Sequence, residues 1–554
     1  MSSIVSSPGI SARPSSGSPW VLSFLLFLPV IALYGAHFIP ATNGALGTGF
    51  LQYDQPYYMA IARKYFDDGG LSFIYGLPFS PDPATPRIYF QPLTFALGVL
   101  EYASGADPGL IFVLAEFVLG IVCCRAAVEL YREVIGLGGT AQRIGLVCFV
   151  WGGGFAVLAA VVHGAVSGEA IAPHLFDFDD MSQGWWLPNL GRNLVIPTEA
   201  FYHAVFLLSI VLILRRQFGG TVCCVALLSL SHPFSGLQLI AVLGAWAVAE
   251  LLSRSSDRPP PWFAAALVLI GCLHVGYYLI FLPLASPEHY ALQQQWTLAW
   301  TFHYWNFAAS DGFVCVLALV TLAAGWRSGG PDWRQRLFLV WFAVSLALAN
   351  HDLLMTPVQP LHFTRGYIWM PLFLLGAPAF IQFIEAGIRH TTVRRTSVMC
   401  ILFLFLLDNA EWIGTRVAAA IRFGTHTDEV TLSPEEREVL SQLGSPELRN
   451  YLLISEDEKI GYLATVYTPL RSWSSHIFNT PYAATRRMEV STFFAGRGEP
   501  SAWRSRPLIA VVAHSSGEAM HKRLLDEGFH DKFANERFLL LSRSRGEATA
   551  NAEH

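Results

Sequence analysis

One acidic residue stands apart by its setting. Asp54 lies in Tyr53-Asp54-Gln55-Pro56-Tyr57-Tyr58, directly after an apolar run of membrane-spanning length. A carboxylate there can take a proton from a hydroxyl as a general base, or hold a divalent cation. An aspartate two residues before a proline is also a routine helix N-cap, and that is the simpler local explanation. Arg365, in Gln359-Pro360-Leu361-His362-Phe363-Thr364-Arg365, offers a planar cation that can grip a phosphate bidentately, with His362 as helper. Its alternatives are snorkelling and pairing with Asp352. Asp177-Phe178-Asp179-Asp180 could hold Mg²⁺ or Mn²⁺ through waters; a solvated turn is the commoner role of such a cluster. Trp185, Trp186, Arg192, Asn193 and Glu199 suit sugar stacking and hydroxyl recognition, although tryptophans also anchor to membrane interfaces. His232, in His232-Pro233-Phe234, lines a cavity or caps a tight turn. Glu288 opens a polar run, Glu288 to Trp296, able to line an acceptor site.

These residues need elements to position them. Of 554 residues, 53% are hydrophobic and 14% charged. Soluble domains carry nearer a quarter charged residues, so hydrocarbon must solvate much of this chain. The net charge of −5 shows no basic stripe and gives no reason to expect nucleic acid. All eight cysteines sit in apolar runs, without zinc-ligand spacing, and read as small core residues. Residues 1–19 are Ser-, Pro- and Gly-rich and read as a disordered tail. Eleven apolar stretches are long enough to be spans: 20–40, 108–130, 144–163, 200–217, 219–231, 235–253, 262–284, 311–326, 337–350, 367–386 and 396–414. The stretch 90–104 reads as a partly inserted or interfacial helix, since counting it would put Arg125, Arg132 and Arg143 on the wrong side.

With that choice fourteen arginines fall on one face: Arg13, Arg125, Arg132, Arg143, Arg215, Arg216, Arg254, Arg258, Arg327, Arg334, Arg336, Arg389, Arg394 and Arg395. The positive-inside rule makes that face cytoplasmic. Asp54 and the other chemistry-capable residues then gather on the outer face, in 41–107, 164–199, the 232–236 turn, 285–310 and 351–366. The N-terminus is expected to be cytoplasmic and the C-terminus outside. Tyr57, Ile61 and Tyr65 share one helix face after Asp54, suited to a helix lying in the membrane interface. From about residue 425 the pattern changes to short β-like runs, Tyr451–Ile454, Leu508–Val512 and Phe538–Leu541, between helical patterns at Ser433–Leu443, Ala483–Phe494 and Ser516–Glu527. A small α/β domain over 425–546 is expected, with 547–554 as a tail. No glycine-rich phosphate loop follows its strands.

The order of these parts resembles the GT-C superfamily of membrane glycosyltransferases: one span, a large outer loop with an acidic residue close behind it, many further spans and a C-terminal extracytoplasmic domain. The resemblance rests on Tyr53-Asp54-Gln55-Pro56-Tyr57-Tyr58 and on Tyr89-Phe90-Gln91-Pro92-Leu93. A tail of Tyr467-Thr468-Pro469-Leu470-Arg471, Thr480-Pro481 and Arg486-Arg487 extends it. It covers roughly residues 20–415, so 20–424 is expected to form a GT-C-like transmembrane domain of the protein mannosyltransferase and aminoarabinose transferase kind, in a bacterial branch. It implies an inverting enzyme of the bacterial plasma membrane that takes a sugar from a polyprenyl-phosphate carrier to a glycan, lipid or protein acceptor. Asp54 would be base or metal ligand, with Asp177 and Asp179 as further metal ligands. Arg365, His362, Arg192, His232, Tyr57 and Glu288 would bind substrate. Where the family's first loop has aspartate-x-aspartate, this chain has Pro56, which puts metal use in doubt. A transporter or flippase is the alternative, and it would ordinarily show internal repeats and charges at mid-membrane depth. A membrane-anchored assembly protein, with the C-terminal domain as its working part, is a third.

Overall fold

The computed structural model describes residues 18–67, 69–168, 188–253, 258–295, 304–327, 330–389, 392–426 and 430–545. Among these, seven helices are long and apolar enough to cross a membrane: Pro19–His37, Pro108–Val134, Pro197–Leu214, Pro233–Leu252, Pro261–Ala285, Trp369–Ile388 and Thr392–Phe423. Two more pairs, Thr140–Trp151 with Ala156–Ser167 and Tyr304–Ser310 with Gly312–Arg327, pass together but bend by 61° and 72°. Counting each pair as one span gives nine, against the eleven expected. The difference lies in 219–231 and 337–350, which are helices of 14 and 17 residues. At 1.5 Å per residue these run about 21 and 25 Å; read as short crossings they keep the alternation of faces that sorts the arginines. The 90–104 stretch is a 13-residue helix, Pro92–Ser104, packed against the helix that follows Asp54.

The chain divides into two compact units, each assembled from separate stretches of sequence. The first comprises 1–33, 116–276 and 297–417. Its interior holds Trp246, Trp341, Trp369, Tyr202 and Tyr367, all fully buried. It also buries charge. Arg336 makes two bonds of 2.8 and 2.9 Å to Glu250, and Arg192 reaches Asp408 at 2.9 Å. Glu116 is wholly buried in Pro108–Val134, and neither carboxylate oxygen has a hydrogen-bond partner. The spans therefore carry more buried charge than their apolar composition suggested.

The second unit comprises 34–115, 277–296 and 418–554. Strand β1 (Leu46–Phe50) pairs antiparallel with β2 (Val430–Leu432), Leu46 opposite Leu432, so the first loop and the C-terminal segment share a ribbon. Strands β3 (Leu452–Ser455), β4 (Arg471–Ser472), β5 (Leu508–Ala513), β6 (His530–Ala534) and β7 (Phe538–Arg543) form a sheet of order β4-β3-β5-β7-β6. Its β4, β3 and β5 are parallel, and β7 and β6 add antiparallel. Helices Pro434–Leu443, Ala483–Phe494 and Gly517–Asp526, with Glu458–Tyr467, which the pattern did not show, complete the small α/β domain that the alternating pattern implied. Pro434–Leu443 begins with a reciprocal cap: Ser433 Oγ accepts from the Glu436 N–H, and Glu436 accepts from the Ser433 N–H. The sheet packs Leu452, Ile454, Ala510 and Val512 against Phe493, Phe494 and Trp503.

Helix Gln55–Arg63 lies within this unit. Its Ile61, followed by Tyr65, packs in a core with Tyr75, Leu77, Tyr89, Leu282 and Leu292. Protein, rather than the membrane interface, covers the face of Tyr57, Ile61 and Tyr65, because Met59 to Ala62 are also fully buried. The Pro92–Ser104 helix crosses it so closely that a Cβ on Gly98 would sit 2.4 Å from the Ala62 carbonyl oxygen. Only glycine permits that approach.

Candidate active site

Asp54 stands at the N-cap position of Gln55–Arg63, yet its side chain makes no capping bond. Its φ and ψ of −79° and −14° are helical, and a cap needs an extended residue to fold its oxygen back onto the first turn. The carboxylate turns instead to His476, whose Nε2 lies 2.9 Å from Asp54 Oδ1. His476 is wholly buried, whereas the Asp54 side chain is 38% exposed. One partner is therefore fixed in the protein interior and the other is open to a substrate.

The protein side of this pair is elaborate. The Phe478 N–H donates to His476 Nδ1 at 3.1 Å, and Asn479 Nδ2 approaches the same nitrogen at 3.2 Å. A nitrogen facing two donors carries the lone pair, which assigns the ring proton to Nε2 and makes Nε2 the donor to Asp54. The ring stacks on Phe79 at 5.7 Å and 18°, meets Tyr462 edge-on at 5.0 Å, and has Tyr53 and Tyr57 at 4.9 and 5.7 Å. The loop bearing it is bolted to the Asp54 segment: the Ile477 N–H donates to Tyr53 Oη at 3.1 Å, and Tyr462 Oη donates to the Tyr53 carbonyl at 3.0 Å. Burial, with Tyr58 and Asp54 adding, pushes the Tyr57 phenol above its ordinary value, so it stays protonated as a donor.

Glu288 is also in this unit. It accepts from Thr85 Oγ1 at 2.6 Å and pairs with Arg486 at 3.1 Å, and Arg486 lies over the Trp473 ring at 5.3 Å. Nearby, burial holds the His289 imidazole down at about 4, which leaves it neutral.

The remaining site candidates lie in the first unit. Arg365 is buried and pairs with Glu199, and not with Asp352, one of the alternatives considered for it. Its carbonyl accepts from His203 Nε2 at 2.7 Å. His362 stacks on Phe234 at 4.3 Å and 9°, 5.3 Å from the His232 ring. Burial, and then the Arg365 guanidinium and His232, hold His362 well below its usual value, so it offers hydrogen bonds rather than charge. His232 Nδ1 caps the Pro233–Leu252 helix, accepting from the Ser235 N–H at 3.1 Å, while its ring stacks on Tyr202 at 4.5 Å. Arg192 is held by Asp408 and Asn409 at 2.9 and 3.0 Å, with Trp412 against it at 5.2 Å.

Asp177, Asp179, Trp185 and Trp186 lie outside the described residues. Among the described residues no group of three or more His, Cys, Asp or Glu side chains converges as a metal cage. Asp54 has His476 beside it, but that imidazole turns a proton rather than a lone pair toward the carboxylate. The two residues alone do not make a cation site.

His476 was not among the residues singled out from sequence, though it falls between Arg471 and Thr480, inside the tail that carried the resemblance. A histidine flanked by two such segments was the available signal.

Fold and site together define a multi-pass membrane protein whose C-terminal α/β domain and first loop share a His–Asp pair, the histidine buried and the carboxylate part-exposed. No family model matches the chain, and no curated protein does. Solved structures are similar. Oligosaccharyltransferase AglB from Archaeoglobus fulgidus, in complex with an inhibitory peptide and a dolichol-phosphate, is 10% identical with a TM-score of 0.49, over 95% of this chain and 74% of that one. ArnT from Cupriavidus metallidurans, bound to undecaprenyl phosphate, is 12% identical with a TM-score of 0.48, over 96% of this chain and 99% of that one. Likeness of this degree assigns no activity; the chemistry must come from the chain's own residues.

Proposed function

We propose that this protein is a membrane glycosyltransferase that moves a sugar from a polyprenyl-phosphate carrier to an envelope acceptor (a glycan, lipid or protein) on the outer face of a bacterial plasma membrane. The observation that carries the reading is Asp54, a part-exposed carboxylate freed from helix capping and held by the buried His476. The GT-C resemblance of the sequence around it supplies the reaction class. Asp54 takes the proton of an acceptor hydroxyl as its oxygen attacks the anomeric carbon. The bond from that carbon to the phosphate oxygen breaks, and its electron pair leaves with the phosphate. Attack from the face opposite the leaving group inverts the anomeric centre. A departing phosphate needs positive charge more than a general acid. For that role we propose Arg365, with neutral His362 and His232 as hydrogen-bonding neighbours. Glu288, Tyr57 and Arg192 are proposed as substrate contacts.

Deletion of the gene in its host, complemented with wild type or Asp54→Asn and followed by mass spectrometry of envelope glycans, tests the assignment. Wild type restores the product; Asn, unable to accept the proton, is expected to lower its rate of formation at least about 100-fold. Undiminished product with Asn would overturn it. A divalent cation, Mg²⁺ or Mn²⁺, held by Asp54, Asp177 and Asp179 is the metal-dependent form of this proposal. It would be excluded by transfer that survives exhaustive chelation in membranes.

A second reading, passage of a polar or lipid-linked solute, rests on Glu116, a buried carboxylate without a hydrogen-bond partner inside a span. It requires Glu116→Gln to abolish accumulation of the solute in vesicles. The transferase reading expects that variant to keep forming glycan product.

A further inference from the structure

We infer that His476, contributed by the C-terminal domain, is a positioning residue that holds the Asp54 carboxylate in its working orientation through a tautomer locked by its own loop. The inference rests on the reading of Asp54 as the base.

Three observations converge on it. An aspartate at a helix start ordinarily folds back to cap it, and Asp54 does not, so something else must fix the carboxylate. The His476 Nε2–H does so at 2.9 Å, from a ring of zero exposure that cannot itself reach bulk substrate. Finally, the ring has one orientation. Phe79, Tyr53, Tyr57 and Tyr462 hold its faces and edge, while the Phe478 N–H and Asn479 amide occupy Nδ1. A histidine serving only as core filler would not need both Nδ1 donors and an exposed carboxylate on Nε2. The arrangement is that of a base and its orienter, in which the third group fixes the tautomer of the second.

The consequence is that the first loop cannot carry out the chemistry alone. A base displaced by about 1 Å loses on the order of 100-fold in rate. The C-terminal domain thereby acts inside the site and not merely beside it.

The test separates packing from hydrogen bonding in the full-length protein. His476→Phe keeps ring volume and aromatic contacts but removes the donor. His476→Gln places an amide N–H near the former Nε2. Initial rates of glycan product formation, measured after induction in the complemented deletion host, should fall about 10- to 100-fold for Phe and recover substantially for Gln. In an Asp54→Asn background the Phe substitution should add no further loss, because the group it positions is gone. Independently of turnover, ¹⁵N spectra of imidazole-labelled protein, with the His476 signals identified by difference against His476→Phe, should show an Nε2–H ring. Full activity of His476→Phe, equal loss in Phe and Gln, a further loss in the Asn background, or an Nδ1–H ring would overturn the inference. An active Asp54→Asn protein would instead remove the reading beneath it.

Discussion

At the scale of single residues, the question at Asp54 was whether the carboxylate serves its helix or a reaction. Local sequence favoured the helix, since an aspartate ahead of proline is how many helices begin. The backbone at Asp54 is already helical, so the side chain cannot reach back to the first-turn N–H groups, and it is left for His476. That contact joins positions 422 apart, which is why no local pattern could report it. Arg365 makes a similar point, because its buried partner is Glu199 rather than nearby Asp352. Arg365→Ala would leave Glu199 buried without its cation, and truncating one partner of such a pair typically costs about 3–5 kcal/mol. Arg365→Lys keeps the charge but not the fork. It is therefore expected to restore folding, read as recovered yield and thermal midpoint in detergent, while carrier-dependent transfer stays low.

At the scale of elements, the positions that matter are those where backbones meet. Gly98→Ala would push a methyl into the Ala62 carbonyl and shift the helix whose first residue follows Asp54. Overpacking of this kind costs about 1–3 kcal/mol, so both thermal midpoint and transfer rate are expected to fall. The same pair of helices carries a pH signature. Glu101, bonded to Arg63 at 3.0 Å, is pushed up to about 8 chiefly by burial, with Arg63 opposing the rise. The folded state thus keeps a proton that the unfolded chain releases above roughly pH 4.5. Its contribution to stability declines as pH rises from there to about 8, and is level beyond. Glu101→Gln cannot titrate and should flatten the fall of thermal midpoint between pH 5 and 8; an unchanged slope would remove this account. In the C-terminal domain, Ser433→Ala deletes one half of a reciprocal cap and should cost about 1 kcal/mol, measured by denaturation of the solubilised protein.

At the scale of the whole molecule, the chain is folded as two units that are not contiguous in sequence. The first loop shares its unit with the C-terminal segment, through the β1–β2 ribbon and the Tyr53–Tyr462 contact. A chain ending at Phe423 loses β2, Tyr462 and His476 together. It should therefore insert into membranes, form no product, and become sensitive to protease within 41–115. Sidedness is tested in a cysteine-free background: an impermeant thiol reagent should label a cysteine replacing Glu518 in intact cells, and one replacing Arg327 only after permeabilisation. The reverse pattern would invert the sidedness inferred from the arginines.

The membrane character of the chain, its polar C-terminal domain, and the strands β3, β5 and β7 with three helices of that domain were legible in sequence alone; β2, β4, β6 and the helix Glu458–Tyr467 were not. Hydropathy, strand-and-helix alternation and the Ser433-Pro434-Glu435-Glu436 start act over a few residues, where side-chain chemistry dominates. Asp54 was legible for the same reason, as an acid beside a span. Span number was less so, because the 219–231 and 337–350 stretches wind into helices of only 14 and 17 residues, short crossings whose reading as spans rests on the sorting of the arginines. Only the tertiary structure decided what Asp54 touches, that Glu199 takes Arg365, and that the first loop and the C-terminal domain form one unit. The Asp54 contact and the shared unit follow from burial: residues hundreds of positions apart meet because Phe79, Tyr462 and His476 are buried against one another.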